Sequence, residues 1–168
     1  PHDGYTLIAN ATPYSHGVMG LADWSPKDWD FLAAYYVPGI IAVKAGSEYD
    51  TFDKLYEAIK AGTVSCGTAG LGSTGYTNLC ILASLDEAFN PASGAYKHIA
   101  YSGGAAAITA VISGEVDFTP QLSNEMIDYL RSGDMVDLSA LTEEDLVLDG
   151  VDYTIPSLKN FIPEAESV

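Results

Sequence analysis

The segment with the clearest chemical potential is a glycine-rich run, Thr68-Ala69-Gly70-Leu71-Gly72-Ser73-Thr74-Gly75, between a predicted strand and a predicted helix. Glycines let the backbone approach a ligand closely, and the unpaired amides at the start of a helix attract anions. Ser73 and Thr74 add hydroxyl donors without adding a positive charge. The run therefore predicts a carboxylate or phosphate site built from dipoles. A tight turn with a good helix cap is the structural alternative.

The glycines of this run also match the G-x-G-x-x-G spacing of dinucleotide-binding folds. That interpretation requires an acidic residue at the end of the next strand, where it would hold a ribose hydroxyl. The next predicted strand ends at Tyr101 and continues with Ser102 and Gly103, so it offers no carboxylate. A phosphate loop of the Walker type is excluded as well, because no lysine follows the glycines.

A second glycine-rich turn, Tyr101-Ser102-Gly103-Gly104, leads from that next strand into another predicted helix. In a parallel sheet both turns lie at the carboxyl edge of the strands, where ligands bind. A third strand ends close to Gln121 and Asn124, whose side-chain amides are further donors. The pattern predicts that two glycine-rich helix starts, side by side, enclose one small anion.

The sequence contains no recognisable catalytic or metal-binding constellation. None of the three histidines, His2, His16 and His98, has a partner at metal-ligand spacing, and no serine lies in a nucleophile-elbow pattern. Cys66 and Cys80 match no zinc or redox spacing, and each is predicted to be a small buried hydrophobic residue. We therefore predict no catalytic residue, no cofactor and no metal. An α/β enzyme acting on a carboxylate or phosphate stays open as an alternative.

The charge balance excludes several classes of partner. The 168 residues include 7 basic and 23 acidic side chains, which gives a formal net charge of −16. A chain this acidic lacks the basic surface that nucleic acids and anionic membranes require. The apolar fraction of 48% is sufficient for a core, and no stretch approaches the ~18–20 apolar residues of a membrane span.

The elements that must position the two turns alternate along the chain. Strands are predicted over residues 5–10, 31–37, 40–44, 64–68, 96–101, 116–119 and 135–141. Helices are predicted after Thr51 as N-cap up to Gly62, and over 73–89, 105–113 and 124–131. Strands that alternate with helices at short spacing indicate an α/β fold with a largely parallel sheet.

Two strands divide this sequence into lobes. The break at Val37-Pro38-Gly39-Ile40 and the strand over 135–141 are both predicted to pass between lobes. Residues 1–43 then form part of lobe 1 with a crossover strand, 44–138 form lobe 2 as a compact α/β unit, and 139–168 form the return crossover and part of lobe 1. Lobe 1 is missing elements at both ends, so we expect a fragment that self-associates through its terminal segments.

Several motifs, in collinear order, resemble the solute receptors of tripartite tricarboxylate transporters, the Bug family. The N-terminal match is DGYTL at 3–7, followed by Asp30-Phe31 and by the glycine run at 68–75. HIAYSG at 98–103 is similar to the family's VPYKG segment, ISGEVD at 112–117 to its LGGQVD segment, and IPSL at 155–158 to its C-terminal vPTvaE segment. Each motif alone is weak evidence for the family, but the order of the motifs along the chain is specific to it.

The resemblance implies a periplasmic-binding-protein type II fold, or Venus flytrap, with one complete lobe and part of the second. It implies a periplasmic or extracytoplasmic receptor, membrane-associated in a species without an outer membrane. Such a receptor captures a small organic carboxylate and presents it to the membrane permease of a tripartite tricarboxylate transporter. A ligand-sensing module of the same fold stays open as an alternative function.

The resemblance also implies the ligand contacts. The helix-start turn holds one ligand carboxylate, and the segments matching Thr12 and the Tyr101 turn line the same cleft. Where the family commonly has lysine after the tyrosine, this chain has Ser102, which predicts a different ligand preference at that turn. The predicted ligand-binding residues are Thr12, Thr68, Ala69, Gly70, Gly72, Ser73, Thr74, Tyr101, Ser102, Gly103 and Gln121.

Overall fold

A computed structural model of the chain describes residues 4, 5, 7, 17, 20 and 23–165. The chain divides into two compact units, Pro1–Ala34 and Tyr35–Val168. In the described part of the first unit, a single 3-10 turn spans Pro26–Asp28, and the rings of Trp24 and Trp29 meet edge to face at 5.2 Å. The strand predicted over 5–10 lies outside the described residues, apart from Tyr5 and Leu7.

The second unit is built on a five-stranded sheet with the order β3-β2-β4-β1-β5. Its strands are β1 (Gly39–Lys44), β2 (Ser65–Thr68), β3 (Lys97–Ala100), β4 (Phe118–Leu122) and β5 (Met135–Ala140). Strand β2 pairs in parallel with β3 and β4, whereas β1 pairs antiparallel with β4 and β5. Four strands therefore share one direction and β1 runs against them, which gives the predicted α/β fold with a mostly parallel sheet.

Four helices cover this sheet: α1 (Phe52–Ala61), α2 (Thr74–Leu85), α3 (Gly104–Ser113) and α4 (Ser123–Ser132). The predicted caps of α1 are confirmed. The Thr51 hydroxyl accepts a hydrogen bond from the Lys54 amide, and Gly62 closes the helix with a φ of +71°, a conformation that favours glycine. Among the described residues, no helix has the length and apolar character needed to cross a bilayer.

Strand β1 supplies both faces of the sheet with buried side chains, as its continuous apolar character predicts. Ile41 and Val43 pack into one core with α1 and α2. Ile40 and Ala42 pack into the other core with α3 and α4. The sheet is thus covered on both sides, and truncating one of these large side chains to alanine should cost about 2–5 kcal/mol of stability.

Three local predictions are wrong. Residues 31–37 form no strand, and their side chains up to Tyr36 are exposed rather than packed in a sheet. The helix predicted over 73–89 ends at Leu85, because Asp86 is extended and caps a separate 3-10 turn, Glu87–Phe89. Cys66 is buried as predicted, but Cys80 lies on the exposed side of α2, and both thiols are free.

The segment after β5 packs against the same unit. It contains a short antiparallel pair, β6 (Leu146–Val147) with β7 (Thr154–Ile155). Further along, Leu158, Ile162 and Ala165 join the core that contains α1 and α2. The lobe boundaries predicted after residues 43 and 138 fall inside β1 and β5, which are neighbours in one sheet. The assignment of segments to two lobes stays a prediction.

Candidate functional site

The two glycine-rich turns lie side by side, as predicted, at the edge of the sheet that is formed by the carboxyl ends of the parallel strands. We call residues 69–73 the α2 turn and residues 101–103 the α3 turn. Thr68 and Ala100 are paired at the ends of β2 and β3, and the Tyr101 amide donates to the Thr68 carbonyl at 2.8 Å. A Cβ atom placed on Gly70 would lie 3.4 Å from the Tyr101 carbonyl oxygen. The two turns are therefore in direct contact.

The α2 turn owes its shape to two glycines in the left-handed region. Gly70 has a φ of +111° and Gly72 a φ of +79°, where other residues would be strained. They bring the Ser73 amide within 3.2 Å of the Gly70 carbonyl oxygen. The chain thereby reverses within a few residues, with Ala69 half-buried in the turn, and enters α2 at Thr74.

The start of α2 is capped on one amide only. The Ser73 hydroxyl accepts a hydrogen bond from the Tyr76 amide at 3.2 Å. Among the described residues, nothing accepts from the amides of Thr74 and Gly75, which precede the first intrahelical hydrogen bonds. Helix α2 also has no acidic residue in its first turn, so no anion from its own sequence balances the positive end of its dipole.

Gln121 lies directly against this helix start. Its side chain is only 2% exposed, and its Nε2 atom has no hydrogen-bond partner among the described residues. A Cβ atom on Gly75 would lie 3.1 Å from both Cδ and Oε1 of Gln121 and 3.2 Å from Nε2. A side chain at position 75 would make a tighter contact than usual, so Gln121 would have to shift by a few tenths of an ångström to accommodate it. A buried amide donor left unpaired costs about 1–3 kcal/mol, and an acceptor supplied by a ligand would remove that cost.

Neighbouring polar side chains fix the end of β4 that carries Gln121. The Asn78 amide donates to the Pro120 carbonyl at 2.9 Å, which links α2 to β4. The Thr119 hydroxyl donates to the Gly67 carbonyl at 2.6 Å, which links β4 to β2. Both donors are buried, so these hydrogen bonds hold Gln121 at a fixed position beside α2.

Thr68 is placed differently from the other predicted residues of the α2 run. It is fully buried, and its hydroxyl oxygen lies 2.8 Å from Nε2 of His98 on β3. Burial lowers the pKa of His98, which favours the neutral imidazole. The hydroxyl of Thr68 is therefore already paired inside the sheet. The ligand contact predicted for Thr68 stays a prediction.

In the α3 turn, the ring of Tyr101 lies beside Gly67 of β2. The Tyr101 hydroxyl donates to Glu115 at 2.9 Å, and burial together with this carboxylate raises the pKa of Tyr101 to about 12. Ser102 is exposed. Gly103 has an extended backbone that any residue can adopt. The contact of this turn with the α2 turn described above is made by the Tyr101 carbonyl.

An unpredicted carboxylate lies at the start of α3. A Cβ atom on Gly104 would lie 2.6 Å and 2.7 Å from the two carboxylate oxygens of Glu125, in the first turn of α4. No hydrogen-bond or ion-pair partner of Glu125 occurs among the described residues, and partial burial raises its pKa. An acid in a first helical turn is ordinary, so no sequence signal distinguishes Glu125.

The cationic side chains of β1, β3 and α4 lie away from this edge. Lys97 begins β3 and Lys44 ends the oppositely directed β1, which places both at the other edge of the sheet. Arg131 lies at the end of α4, 3.4 Å from Asp128. Within the described part of the chain, no group of three His, Cys, Asp or Glu side chains could hold a metal. Thr12 lies outside the described residues.

The opposite edge of the sheet contains an open depression of about 400 Å³, lined in part by Ser65, Lys97 and Asp117. Asp117 there accepts hydrogen bonds from the amide and hydroxyl of Ser65 at 2.7 Å and 2.8 Å. We favour the edge with the two turns as the candidate site, because it combines unpaired donors with close backbone approach. The depression offers space for a ligand, but the carboxylate of Asp117 there is already hydrogen-bonded to Ser65.

Solved structures of solute-binding proteins are similar to this chain. A TctC solute-binding protein from Polaromonas, without ligand, matches with a TM-score of 0.67 and 25% identity over 87% of this chain and 48% of its own. BugD, a periplasmic binding protein, matches at 0.64 and 20% identity over 79% and 42%. MatC from Rhodopseudomonas palustris, with bound malate, matches at 0.63 and 17% identity over 79% and 42%.

The chain spans about half the length of these solved structures. No protein-family model and no curated protein matches it. The structural similarity extends over most of the chain, and it concerns the same receptors that the ordered motifs resemble. The resemblance is therefore confirmed at the level of structure: the chain has the fold of the TctC and Bug solute-binding proteins.

Proposed function

We propose that this chain carries the carboxylate-binding edge of an extracytoplasmic solute-binding receptor that serves a tripartite tricarboxylate transporter. The observation that carries the proposal is the unpaired Nε2 of Gln121, buried against the first turn of α2. The amides of Thr74 and Gly75 belong to the same turn. A carboxylate held there would accept hydrogen bonds from backbone and side chain together.

The chemistry of this edge suits reversible binding. Its donors are neutral, so the bound anion is stabilised by oriented dipoles rather than by an ion pair. The Ser73 hydroxyl accepts a hydrogen bond from the Tyr76 amide, and the His98 ring is paired with the Thr68 hydroxyl. MatC, a structure of the same fold, has malate bound, which supports a carboxylate as the ligand class.

The proposed permease partner and the proposed extracytoplasmic location are supported by the comparison with solved structures. The TctC protein is described as solute-binding and BugD as a periplasmic binding protein. We therefore propose that the complete receptor works outside the cytoplasmic membrane and delivers its ligand to a membrane permease. The contacts with that permease would involve other surfaces than the edge described above, because the ligand occupies that edge.

The proposal is tested by titrating the ¹⁵N-labelled chain with acetate and with malate, observed by NMR. The side-chain amide signals of Gln121 and the backbone signals of Thr74 and Gly75 should shift together. The variant Gln121→Leu keeps a similar volume but removes the donor. A hydrogen bond to a charged group contributes about 1.5–3 kcal/mol, so affinity should fall about 10- to 100-fold.

The matched control is Asn160→Ala, which removes an exposed side-chain amide bonded to Asp145 in the tail. This variant should bind acetate and malate as the parent does. The melting temperature of Gln121→Leu should hold or rise, because the substitution removes a buried donor that has no partner. Equal affinity in Gln121→Leu and parent would contradict the proposed site.

A further inference from the structure

The edge that carries the donors also carries a carboxylate of the protein itself. Glu125 lies against Gly104 at the start of α3, and no described residue pairs with its oxygens. The side chain remains exposed enough to meet a ligand, while its partial desolvation raises its pKa. An unpaired acid in such surroundings favours contact with a positive or hydrogen-bond-donating group.

Glu125 and the donors at the start of α2 lie at the same end of the sheet. Gln121 precedes Glu125 by four residues, at the point where β4 leads into α4. The α3 turn next to Glu125 contacts the α2 turn through Gly70 and the Tyr101 carbonyl. Two poles therefore share this edge: a donor pole of Thr74, Gly75 and Gln121, and an acceptor pole of Glu125.

The presence of both poles narrows the class of ligand that this edge can bind. The inference rests on the proposed function. We propose that the ligand is a zwitterion, with a carboxylate at the donor pole and an ammonium group at Glu125. A dicarboxylate would instead place its second anion near Glu125. The described lysines and arginine of residues 35–165 lie on other elements or at the opposite strand ends, so they would not offset that repulsion.

The test uses five-carbon probes that differ in charge but not in chain length. Pentanoate is a monoanion, glutarate a dianion, and L-norvaline and 5-aminopentanoate are zwitterions with the ammonium group at two different distances. Affinities for the full chain come from NMR titration, followed at the signals of Gln121, Thr74 and Gly75. At least one zwitterion should bind about tenfold more tightly than pentanoate, and glutarate should bind more weakly than pentanoate.

The variant Glu125→Gln removes the charge while keeping the shape. Its preference for the zwitterion over pentanoate should fall to about twofold or less, and glutarate should approach pentanoate in affinity. Glu144→Gln is the control, because it changes the net charge equally at an exposed position of the tail. This control should leave the order of affinities unchanged.

The outcomes separate this inference from the proposed function. If pentanoate shifts the three signals but no zwitterion binds more tightly, or if glutarate binds most tightly, the zwitterion inference is overturned and the carboxylate site stands. An unchanged preference in Glu125→Gln overturns it as well. If none of the four probes shifts the signals of Gln121, Thr74 and Gly75, both proposals are overturned.

Discussion

The α2 turn and the α3 turn follow the same local pattern but end with opposite electrostatic character. Each comes after a parallel strand, contains glycine and leads into a helix without an acidic first turn of its own. The α2 turn has a serine cap and the buried amide of Gln121 beside it. The α3 turn has no side-chain cap and is approached by the carboxylate of Glu125.

The difference shows that a glycine-rich helix start is not an anion site by sequence alone. What decides its character is the side chain that another element brings against it. Strand β4 and the first turn of α4 supply both deciding residues, Gln121 to one turn and Glu125 to the other. The predicted pair of equivalent anion-binding turns becomes a donor turn and an acid-facing turn.

The largest expected effect comes from filling the α2 turn. Gly72→Val places a branched side chain at a buried position with a φ of +79°, and it should abolish measurable acetate binding. The strain of a left-handed residue should also cost about 1–2 kcal/mol of stability. Isothermal titration and urea unfolding measure the two effects separately.

Gly94→Val is the matched control for this change. Gly94 has a φ of +73°, and a Cβ atom there meets nothing within 4 Å. The control should lose similar stability and keep its acetate affinity. Loss of binding in both variants would mean that strain, and not occupation of the α2 turn, explains the effect of Gly72→Val.

Smaller changes in acetate affinity should distinguish the start of α2 from the start of α3. In Gly75→Ala the new methyl group meets the buried Gln121 side chain at 3.1 Å, and we expect about a tenfold loss of acetate affinity. In Gly104→Ala the methyl group meets the carboxylate of Glu125, which is exposed and can rotate away. Acetate affinity should then persist, and the helix should gain up to about 1 kcal/mol from replacing glycine.

Both alanine variants are compared by acetate titration and thermal unfolding. Equal losses of affinity would show that both turns contribute to anion binding, as the sequence pattern alone predicts. A loss confined to Gly104→Ala would reverse the assignment of the two turns.

The smallest effect concerns the pH dependence of stability. Burial raises the pKa of Glu125 in the folded chain above its ordinary 4.5. Ionised Glu125 therefore destabilises the folded chain relative to the unfolded chain. This cost in stability is absent below pH 4.5 and appears as pH rises through the pKa of Glu125 in the folded chain. Glu125→Gln should gain stability relative to the parent between about pH 4 and pH 7, within about 0.5 kcal/mol as at other exposed positions.

Urea unfolding of both proteins across this pH range provides the measurement. Asp137 also has a pKa raised by burial, but it is present in both proteins and cancels in the difference. A difference in stability that stays constant with pH would mean that Glu125 is not desolvated at the start of α3.

The sequence predicted the elements whose signals are local. Thr51 and Gly62 mark the ends of α1, and the alternation of strands and helices gave the α/β fold, because caps and periodicity act within a few residues. Gln121 was found because it follows a strand at the ligand-binding edge. Glu125 was not, since its position depends on α3 and α4 lying on the same face of the sheet.

The wrong predictions have a common physical origin. The run 31–37 is apolar enough for a strand. Whether it forms a strand and buries its side chains depends on pairing with other elements, and strand propensity does not encode that pairing. Cys80 lies in a helix that is apolar on nearly every side, so its sequence gives no reliable indication of which face is buried. Long-range partners decide both cases.

The position of β1 in the sheet has a consequence for biosynthesis. This strand pairs with β4 and β5, yet in the chain it precedes both by about 80 to 100 residues, so its contacts are non-local and slow to form. While the ribosome makes the intervening helices, the apolar residues Ile40–Val43 emerge without their partner strands. The nascent chain must therefore be kept from pairing with its neighbours until Ala140 has left the exit tunnel.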